Sequence, residues 1–532
     1  MSNISRRSFV TRCAATGAAA GALGIAGTAL AAEATEPANE TVSWEDQVSA
    51  TEEADIVVAG SGTAGTFAAI RAAELGAKVV WLEKTGIPGG TSSVTEGSVL
   101  PNSQAQLATG SETDTAAVFK LLMDWHNWGA KASAVQSFLD NAGAAGDWAV
   151  SHEGVAFAHM GDGSFTCLDE NGAWENMGTG LLTPLRESAQ SLDNLDFRTE
   201  TPVVGLVIED GKVAGAYTQD AAGTVTRINA KAVILATGGF GTNPEMCEKY
   251  LRLPADRIEF LGMAGQDGDG INMGIAAGGS LHAMTSVMFG LTTIDGSAWD
   301  SMETIFLLWP PSWREPQEKG GSLPLVNQKG ERFYNEARVD EAVSSKLNTA
   351  VALQPQTWVL FDEKHLETYA GIDEFDYMSG IAHGNLREAV ETSDAFVTAD
   401  TIEELAGLMG VDAETLVATV DAWNARIDGT DTTPDPFGAD PTMLEKVVEA
   451  PFHAGKFHAC AYSTCGGLST DYNNQVVDAN EQPIEGLYAT GIDNGSMYFN
   501  DYPYGVYSGT GQGTAACTGF VAANAAWAKI NG

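Results

Sequence analysis

The sequence is poor in basic residues. Only 28 lysines and arginines stand against 70 aspartates and glutamates, which gives a formal net charge of −42 at pH 7. Because nucleic acids and anionic lipid surfaces are bound by clustered positive charge, we do not expect so acidic a chain to bind either of them. The acidic excess is accounted for equally well by solubility and by attraction of a basic electron-transfer partner.

Cysteine is also scarce. The chain has 6 cysteines in 532 residues, with no C-x-x-C pair and no C-x-x-C-H haem-attachment motif. Metal clusters and c-type haems depend on such closely spaced pairs. The histidines are scattered without the spacing of metal ligands. The sequence therefore predicts no metal centre.

The N-terminal region has the features of a twin-arginine export signal. Ser5-Arg6-Arg7-Ser8-Phe9 precedes an Ala/Gly-rich stretch at 14–32, with a small-residue cleavage site at Ala29-Leu30-Ala31. This stretch is too rich in glycine for a stable membrane span. We expect residues 1–31 to be a signal peptide. We expect the mature chain, without an integral membrane span, to lie in the periplasm, at the outer face of the cytoplasmic membrane or outside the cell.

The rest of the chain divides by its pattern of apolar residues. Residues 32–52 are acidic and contain Ser, Thr and Pro, which is typical of a linker. Strand and helix patterns alternate through 53–289 and return in 463–532, as in α/β proteins with a parallel sheet. This rhythm is lost in 290–462. We predict an α/β fold in which an inserted α+β capping domain splits the first domain into two parts.

A glycine-rich turn marks a dinucleotide site. Gly60-Ser61-Gly62-Thr63-Ala64-Gly65 directly follows an apolar strand and opens a predicted helix. Such glycines allow a tight turn, a close approach to pyrophosphate and close helix–strand packing, and the helix N-terminus attracts phosphate. Glu83 ends the next strand, about 20 residues further on, where an acid accepts hydrogen bonds from the ribose hydroxyls. Together these features predict a Rossmann-like domain.

Later motifs, in the same order, make the chain resemble a known family. That family is the fumarate-reductase-like flavoproteins, which include urocanate reductases and 3-ketosteroid dehydrogenases. The matching motifs are Gly89-Gly90-Thr91-Ser92, Ala236-Thr237-Gly238-Gly239-Phe240, Gly268-Asp269-Gly270, Cys465-Gly466-Gly467-Leu468 and Gly486-Leu487-Tyr488-Ala489-Thr490-Gly491. The resemblance covers nearly the whole chain after the signal, and it implies FAD as the cofactor. No motif for covalent flavin attachment is evident, so we expect the FAD to be held noncovalently.

The resemblance also implies which residues surround the FAD. They come from the glycine-rich turn, the acid-bearing strand, the Gly-Gly-Thr-Ser segment, the later strand–turn units and the start of the last helix. The residues implied are Gly60, Ser61, Gly62, Ala64, Gly65, Glu83, Lys84, Gly90, Thr91, Ser92, Gly97, Val204, Ala236, Thr237, Gly238, Asp269, Ile492, Asp493, Gly511 and Gln512.

A second G-x-G-x-x-G motif is missing from the sequence. NAD(P)H therefore has no dinucleotide domain of its own on this chain. We expect electrons to pass through a separate protein, a cytochrome or an FMN protein, or through the substrate itself.

The residue that would transfer a proton differs from the family pattern. Gly330-Glu331-Arg332-Phe333-Tyr334-Asn335-Glu336 matches the family's segment, and the proton-transfer position after it is Asp340. Fumarate and urocanate reductases carry arginine there, and ketosteroid dehydrogenases carry tyrosine. Three interpretations remain open. Asp340 is the acid or base, with a pKa raised by burial; Arg338 enters the site and Asp340 orients it; or Asp340 begins a surface helix.

The family's anchors for a small dicarboxylate are absent. Ser463 stands where fumarate reductases have a histidine. The segment Asn500-Asp501-Tyr502-Pro503-Tyr504-Gly505-Val506-Tyr507 replaces their late substrate-binding Asn-Arg. Because a dianion would be poorly desolvated without cationic partners, we do not expect fumarate as the substrate.

Aromatic residues take the place of those anchors. Tyr502-Pro503 resembles the Tyr-Pro of ketosteroid dehydrogenases, whose tyrosine hydroxyl binds the ketone oxygen of the substrate. A phenol can donate a hydrogen bond to a developing enolate while its ring covers an apolar substrate face. We expect Tyr502 and Tyr504 to take part in catalysis, and Ser463 and Tyr507 to contact substrate. Ordinary aromatic packing is the alternative.

Three functions follow from these features. The leading hypothesis is an exported FAD-dependent reductase of an activated C=C bond, of the enone or aryl acrylate type, on an apolar or aromatic skeleton. The second is a dehydrogenase that introduces a C=C bond, as the ketosteroid enzymes do. The third is a flavin-bearing electron-transfer subunit without substrate chemistry of its own.

Overall fold

A computed structural model describes residues 43–95, 97–161, 163–168, 172, 174–290, 293–294, 321–338, 343–370, 386–504 and 506–532. The predicted signal peptide, most of the predicted linker, and Asp340 lie outside these residues.

The strands of the described residues are numbered in chain order. They are β1 Val48–Glu53, β2 Ile56–Ala59, β3 Val79–Leu82, β4 Ser98–Val99, β5 Phe157–Gly161, β6 Ser164–Leu168, β7 Trp174–Glu175, β8 Leu195–Arg198, β9 Val203–Glu209, β10 Lys212–Gln219, β11 Val225–Asn229, β12 Ala232–Leu235, β13 Ile258–Phe260, β14 Leu281–His282, β15 Val287–Phe289, β16 Thr293–Ile294, β17 Leu325–Asn327, β18 Thr357–Asp362, β19 Phe396–Ala399, β20 Phe452–Thr464, β21 Gly467–Leu468, β22 Gln475–Val477 and β23 Pro483–Ala489.

The helices are numbered in the same way. They are α1 Thr63–Glu74, α2 Gln104–Ala108, α3 Thr115–Trp125, α4 Ala132–Val150, α5 Thr183–Ala189, α6 Pro244–Tyr250, α7 Asp269–Ala276, α8 Val343–Ala352, α9 Glu363–Ala370, α10 Leu386–Thr392, α11 Ile402–Met409, α12 Ala413–Ile427 and α13 Thr510–Asn531. Short 3-10 turns occupy Glu45–Gln47, Gly90–Val94, Ala255–Arg257, Pro441–Met443 and Gly491–Asp493, and a π-helical turn occupies Gly178–Leu182.

The central sheet has six strands in the order β22-β23-β12-β2-β3-β8. All neighbours are parallel except β22 and β23. The side chains of β2, β3 and β12 are buried on both faces, which explains why these strands read as continuous apolar runs. Two strands of this sheet come from the last part of the chain. The predicted α/β fold, with a Rossmann-like sheet split in sequence, is confirmed.

The last helix completes the central layer. α13 packs against α1, where Arg71 Nε donates to Asn524 Oδ1 at 3.1 Å. Its small residues, among them Gly519, allow this close approach: a Cβ there would lie 2.2 Å from the Ala64 carbonyl oxygen. The final segment of the chain therefore holds the first helix in place. Over the residues that the structure describes, no helix is both long and apolar enough to cross a bilayer.

A second sheet is built around β20, which pairs with β13, β15, β16, β18 and β19. Helices α8 to α12 and their apolar residues pack around it in a separate core. Two of its strands, β13 and β15, lie before residue 290, and β20 continues past residue 462. The second sheet therefore takes strands from both sides of each boundary proposed for the capping domain, and those boundaries remain predictions.

One segment differs from the expected linker. Residues 48–52, inside the predicted linker at 32–52, belong to β1, which pairs in parallel with β11. β1 closes the edge of a four-stranded sheet in the order β1-β11-β10-β9. The polar composition of β1 gives no strand pattern in the sequence, because an edge strand exposed on one face needs few apolar residues.

Candidate active site

The glycine-rich turn lies at the carboxyl end of β2, the position where open parallel sheets bind nucleotides. Gly60 has φ +105°, and a Cβ built on it would lie 2.1 Å from the Ala236 carbonyl oxygen. A Cβ on Gly65 would lie 2.0 Å from the Gly60 carbonyl oxygen. Helix α1 therefore begins in close contact with the strand, and its N-terminus lies at the carboxyl end of the sheet.

Glu83 holds the glycine turn to the next strand. Its Oε2 accepts hydrogen bonds from Ser61 N at 3.1 Å and Ser61 Oγ at 2.6 Å, and its Oε1 accepts one from Thr85 N at 2.8 Å. The side chain is only 8% exposed. The binding of ribose hydroxyls by this buried carboxylate stays a prediction.

Lys84 lies next to two acids at the start of α7. Its Nζ is 2.6 Å from Asp267 Oδ2 and 2.8 Å from Asp269 Oδ2. Burial by itself would lower the pKa of Lys84, but Asp269 and Asp267 outweigh it and raise that pKa. The predicted cofactor residues Lys84 and Asp269 thus form one ion-paired group, whose third member, Asp267, was not predicted from the sequence.

Three predicted cofactor residues join a hydrogen-bond network between distant segments. Thr63 N donates to Ser92 Oγ at 3.2 Å, and Gln512 Nε2 donates to Thr63 Oγ1 at 2.5 Å. Gln266 Nε2 donates to Thr91 Oγ1 at 2.8 Å. Gln266 carries no motif and has no signal in the sequence that could have identified it.

Asp493 is a fully buried carboxyl at the end of the central sheet. It accepts hydrogen bonds from the backbone N–H of Thr237 and, at 3.1 Å, from Thr237 Oγ1. Burial raises the pKa of Asp493 to about 7, against the opposing effect of those hydrogen bonds. A desolvated carboxyl of this kind needs polar partners, and Asp493 would be one of the residues that hold the FAD.

The remaining predicted cofactor residues come from several elements. Gly97 precedes β4, Val204 is in β9, Ile492 adjoins Asp493, and Gly511 is in the first turn of α13. Ala64, Gly90, Ala236 and Gly238 lie in the strand–turn and turn–helix segments described above. The closely packed turn, the buried Glu83 and Asp493, and the α1 N-terminus fit an FAD molecule, and these residues would hold it. Which of them contact it stays a prediction.

Tyr502 lies at the N-terminus of the last helix. Its side chain is 6% exposed, and its Oη accepts hydrogen bonds from Gly509 N at 2.9 Å and Gly511 N at 3.2 Å. Burial raises the pKa of Tyr502, against the opposing effect of these two N–H groups. The ring of Tyr502 lies 5.9 Å from that of Tyr498 and 6.3 Å from that of Tyr504. The hydroxyl is thus held at a fixed point beside Gly511.

Two residues at the end of α3 hold the segment that leads to Tyr502. Trp125 Nε1 donates to the Asp501 carbonyl oxygen at 3.3 Å. His126 Nδ1 lies 2.6 Å from the Phe499 carbonyl oxygen and 3.2 Å from Phe499 N. His126 is fully buried, which lowers its pKa to about 4. Trp125 and His126 were not predicted from the sequence, because no local pattern indicates contacts with residues so far away in the chain.

The other predicted substrate and catalytic residues are partly brought together. Tyr504 and Tyr507 belong to the same apolar cluster as Tyr502. Ser463 is buried, and its Oγ donates to Gln266 Oε1, which connects it to Thr91 in the network above. Arg338 is half-buried, and its backbone N donates to the Asn335 carbonyl oxygen at 3.2 Å. Asp340 lies outside the described residues, so the choice between Asp340 and Arg338 stays open.

The motif segment before Arg338 has a structural role. Arg332 Nε donates to Glu336 Oε1 at 2.9 Å, and Arg332 Nη1 lies 2.6 Å from Asp435 Oδ2. The three side chains are at most 5% exposed, and the Arg332 guanidinium lies over the Trp423 ring at 4.7 Å. This buried cluster fixes the strand and loop from which the chain runs to Arg338. Over the described residues, no group of three or more His, Cys, Asp or Glu side chains is placed to hold a metal ion.

Comparison with known proteins agrees with this arrangement. The family model described as "FAD binding domain" matches residues 55–504. The vinyl phenol reductase of Lactiplantibacillus plantarum is 31% identical over 493 residues, covering 87% of this chain and 96% of that protein.

Two solved structures share the fold. A flavocytochrome c3 fumarate reductase in an open conformation has a TM-score of 0.70 at 23% identity, covering 91% of this chain and 79% of its own. The 3-ketosteroid Δ1-dehydrogenase of Sterolibacterium denitrificans has a TM-score of 0.68 at 20% identity, covering 90% of this chain and 100% of its own. The expected family resemblance and the FAD cofactor are confirmed. The chain belongs to the FAD binding domain family and is an FAD-dependent oxidoreductase acting on C=C or CH–CH bonds.

Proposed function

We propose that this protein is an exported reductase of an activated C=C bond on an aromatic or otherwise apolar skeleton. The observation that carries the proposal is the Tyr502 hydroxyl, held by Gly509 N and Gly511 N at the N-terminus of α13. Around it lies an apolar cluster that includes Tyr498, Tyr504 and Tyr507. Such surroundings suit a flat apolar substrate far better than a small dianion.

Reduction of an alkene needs two electrons as hydride at one carbon and a proton at the other. The bound flavin, when reduced, supplies the hydride. The Tyr502 oxygen accepts from two backbone N–H groups, which fixes where its O–H can be offered to a substrate oxygen. A hydrogen bond to charge that develops on that oxygen lowers the barrier by more than it stabilises the ground state. We propose that Arg338 or Asp340 supplies the proton to the second carbon.

The vinyl phenol reductase similarity supports the reductase direction, since that relative is named for an aromatic alkene. The fold of the ketosteroid dehydrogenase, together with Tyr502-Pro503, supports the second candidate, a dehydrogenase. The twin-arginine sequence supports export. The single dinucleotide motif supports a separate electron donor, a cytochrome or an FMN protein. A flavin-bearing electron-transfer subunit without substrate chemistry is the third candidate.

The test is anaerobic stopped-flow on the mature FAD-bound protein, first reduced chemically and then mixed with one compound at a time. We expect rapid flavin reoxidation by an aromatic alkene and none by fumarate. Tyr502→Phe should slow that reoxidation by about 10²-fold, the usual loss for one preorganised donor. Its matched control is Tyr472→Phe, which changes an exposed tyrosine and should leave the rate unaltered.

Two results would contradict the reductase proposal. Reduction of the oxidised flavin by a saturated ketone, with no alkene active in the other direction, favours the dehydrogenase. A flavin that cycles with a protein donor but reacts with neither alkene nor ketone favours the electron-transfer subunit.

A further inference from the structure

Arg186, in the middle of α5, carries a guanidinium that lies against the Gly-Gly-Thr-Ser segment. A Cβ built on Gly89 would lie 3.7 Å from Arg186 Nη1. The other terminal nitrogen, Nη2, donates to Thr183 Oγ1 at 3.2 Å, in the first turn of the same helix. The π-helical turn before α5 packs closely as well, since a Cβ on Gly178 would lie 2.3 Å from the Ser93 carbonyl oxygen. Helix α5 is therefore held against that segment.

The same segment is joined to the dinucleotide turn. The backbone N of Gly89 donates to Ser61 Oγ at 3.0 Å. The Gly89 carbonyl oxygen would lie 3.7 Å from a Cβ built on Gly62. Three residues further on, Ser92 Oγ accepts from Thr63 N at the start of α1. The guanidinium thus lies next to the segment that contacts the turn, and turns of this kind bind the diphosphate of dinucleotides.

The guanidinium of Arg186 lacks an anionic partner within the described part of the chain. Its Nη1 is buried and has no hydrogen-bond acceptor there, and Thr183 Oγ1 is the side-chain acceptor that the structure gives to Nη2. Arg198 and Arg332 differ, because each contacts two carboxylates. Burial lowers the pKa of Arg186, against the weaker attraction of Glu187. A desolvated cation in this situation needs an anion beside it.

The other charged groups at the dinucleotide end leave a diphosphate without a full positive charge. Glu83 and Asp493 are buried acids, and Lys84 is already paired with two carboxylates. The N-terminus of α1 offers only the partial positive charge of a helix end. The two negative charges of a diphosphate need more than this partial charge, and Arg186 carries a full charge that no carboxylate contacts among the described residues.

We propose that Arg186 is a cofactor-binding residue, whose guanidinium pairs with the diphosphate of FAD. The inference goes beyond the proposed function, because it concerns retention of the cofactor and applies to either direction of the reaction. Arginine suits this role, since its planar guanidinium matches the oxygens of a phosphate group and keeps its charge when buried. Arg186 was not predicted from the sequence, because it belongs to no glycine motif and lies far from Gly89 in the chain.

The test compares Arg186→Gln with Arg186→Lys in the FAD-bound protein. Both new side chains are long and polar, so the pair separates the effect of the positive charge from that of packing. The dissociation constant of FAD is read from the fluorescence of released FAD after stepwise dilution. We expect Arg186→Gln to weaken FAD binding about 10- to 100-fold, the usual loss for one hydrogen-bonded charge. Arg186→Lys keeps a point charge and should bind FAD at least about fivefold more tightly than Arg186→Gln.

Ser188→Ala is the matched control on the same helix, since its hydroxyl donates to the Leu185 carbonyl oxygen, and it should leave the FAD affinity unchanged. Far-UV circular dichroism and Tm, measured with excess FAD, show whether each variant is folded. The inference is overturned if Arg186→Gln binds FAD within twofold of the wild type. It is also overturned if Arg186→Lys binds FAD as weakly as Arg186→Gln, because packing of α5 and not the charge would then hold the cofactor. Failure of the proposed reductase function would leave these dissociation constants unaffected.

Discussion

The two ends of the proposed site are built in different ways. At the dinucleotide end, the backbone of the turn at 60–65 makes the close approaches, and the acids beside it are paired or hydrogen-bonded. At the aromatic end, residues 498–504 are held by side chains from α3 and α8, by the backbone of β15 and by the start of α13. The first end depends on close backbone approaches around a glycine-rich turn, and the second depends on side-chain hydrogen bonds from several elements.

This difference separates binding of the cofactor from choice of substrate. A local backbone motif can be kept intact while distant segments change, so the dinucleotide end suits a cofactor common to a family. The aromatic end can change its chemistry through single side chains, such as Tyr502. Variants at the first end should therefore affect FAD retention, and variants at the second should affect rates and selectivity.

The largest expected effect is at Gly60. Gly60→Ala places a Cβ 2.1 Å from the Ala236 carbonyl oxygen and strains φ +105°. We expect a loss of more than about 4 kcal/mol in the free energy of unfolding and no bound flavin, measured as the ratio of absorbance at the flavin maximum to that of protein. Gly211→Ala, with φ +77° and open space around it, is the control and should cost only about 1 kcal/mol. Equal losses in the two variants would contradict the close-approach explanation.

The buried cluster of Arg332, Glu336 and Asp435 belongs to neither end of the site and tests a purely structural contribution. Arg332→Met leaves Glu336 and Asp435 buried without their cation. We expect destabilisation by about 3–5 kcal/mol, read from urea unfolding. Lys329→Met removes a largely exposed partner of Glu331 and should cost less than about 1 kcal/mol. If Arg332→Met leaves the free energy of unfolding unchanged, the cluster does not hold the segment before Arg338 in place.

At the aromatic end, His126 predicts a pH effect. Burial lowers its pKa from 6.5 to about 4, so between these values the unfolded state binds more protons than the folded state. Stability should therefore fall as the pH drops from 6.5 towards 4, by up to about 3 kcal/mol. His126→Phe should flatten this slope in thermal unfolding measured across that range.

His152 provides the control of opposite sign. Its hydrogen bond with Glu74 raises its pKa above 6.5, against the opposing effect of burial. The stability that this hydrogen bond contributes is therefore fully present below pH 6.5 and is lost as the pH rises through the folded-state pKa. If the dependence of stability on pH between 6.5 and 4 disappears in His152→Gln but persists in His126→Phe, His126 is not the cause of that dependence.

The smallest effect is expected at Lys84. Lys84→Met breaks two partly exposed ion pairs, and we expect a loss of about 1 kcal/mol in the stability of the FAD-bound protein. Added salt should shrink the difference from wild type, because it screens such pairs. Lys120→Met, at a more exposed pair with Asp124, serves as the control. A salt-independent loss would point to direct contact between Lys84 and the cofactor.

Much of the fold and of the cofactor end was predictable. The apolar strands β2, β3 and β12 were identified from their composition, since strands buried on both faces are apolar throughout. The exposed edge strand β1 was missed, because its polar sequence is indistinguishable from a linker. Tyr502 was identified by resemblance, but Trp125, His126 and Gln266 were not, since their partners lie far away in the chain.

The sequence by itself determined the dinucleotide turn and the acid after it, because glycines directly after an apolar strand, with an acid at the end of the next strand, form a pattern that is visible in the sequence. The order of its motifs also determined the family and the cofactor. Only the tertiary structure decided that the Tyr502 hydroxyl meets the N-terminus of α13, that His126 and Trp125 hold its segment, and that the Asp501 carboxylate meets Ser345. Such contacts join residues far apart in the chain, and folding brings them together through packing that no local pattern records.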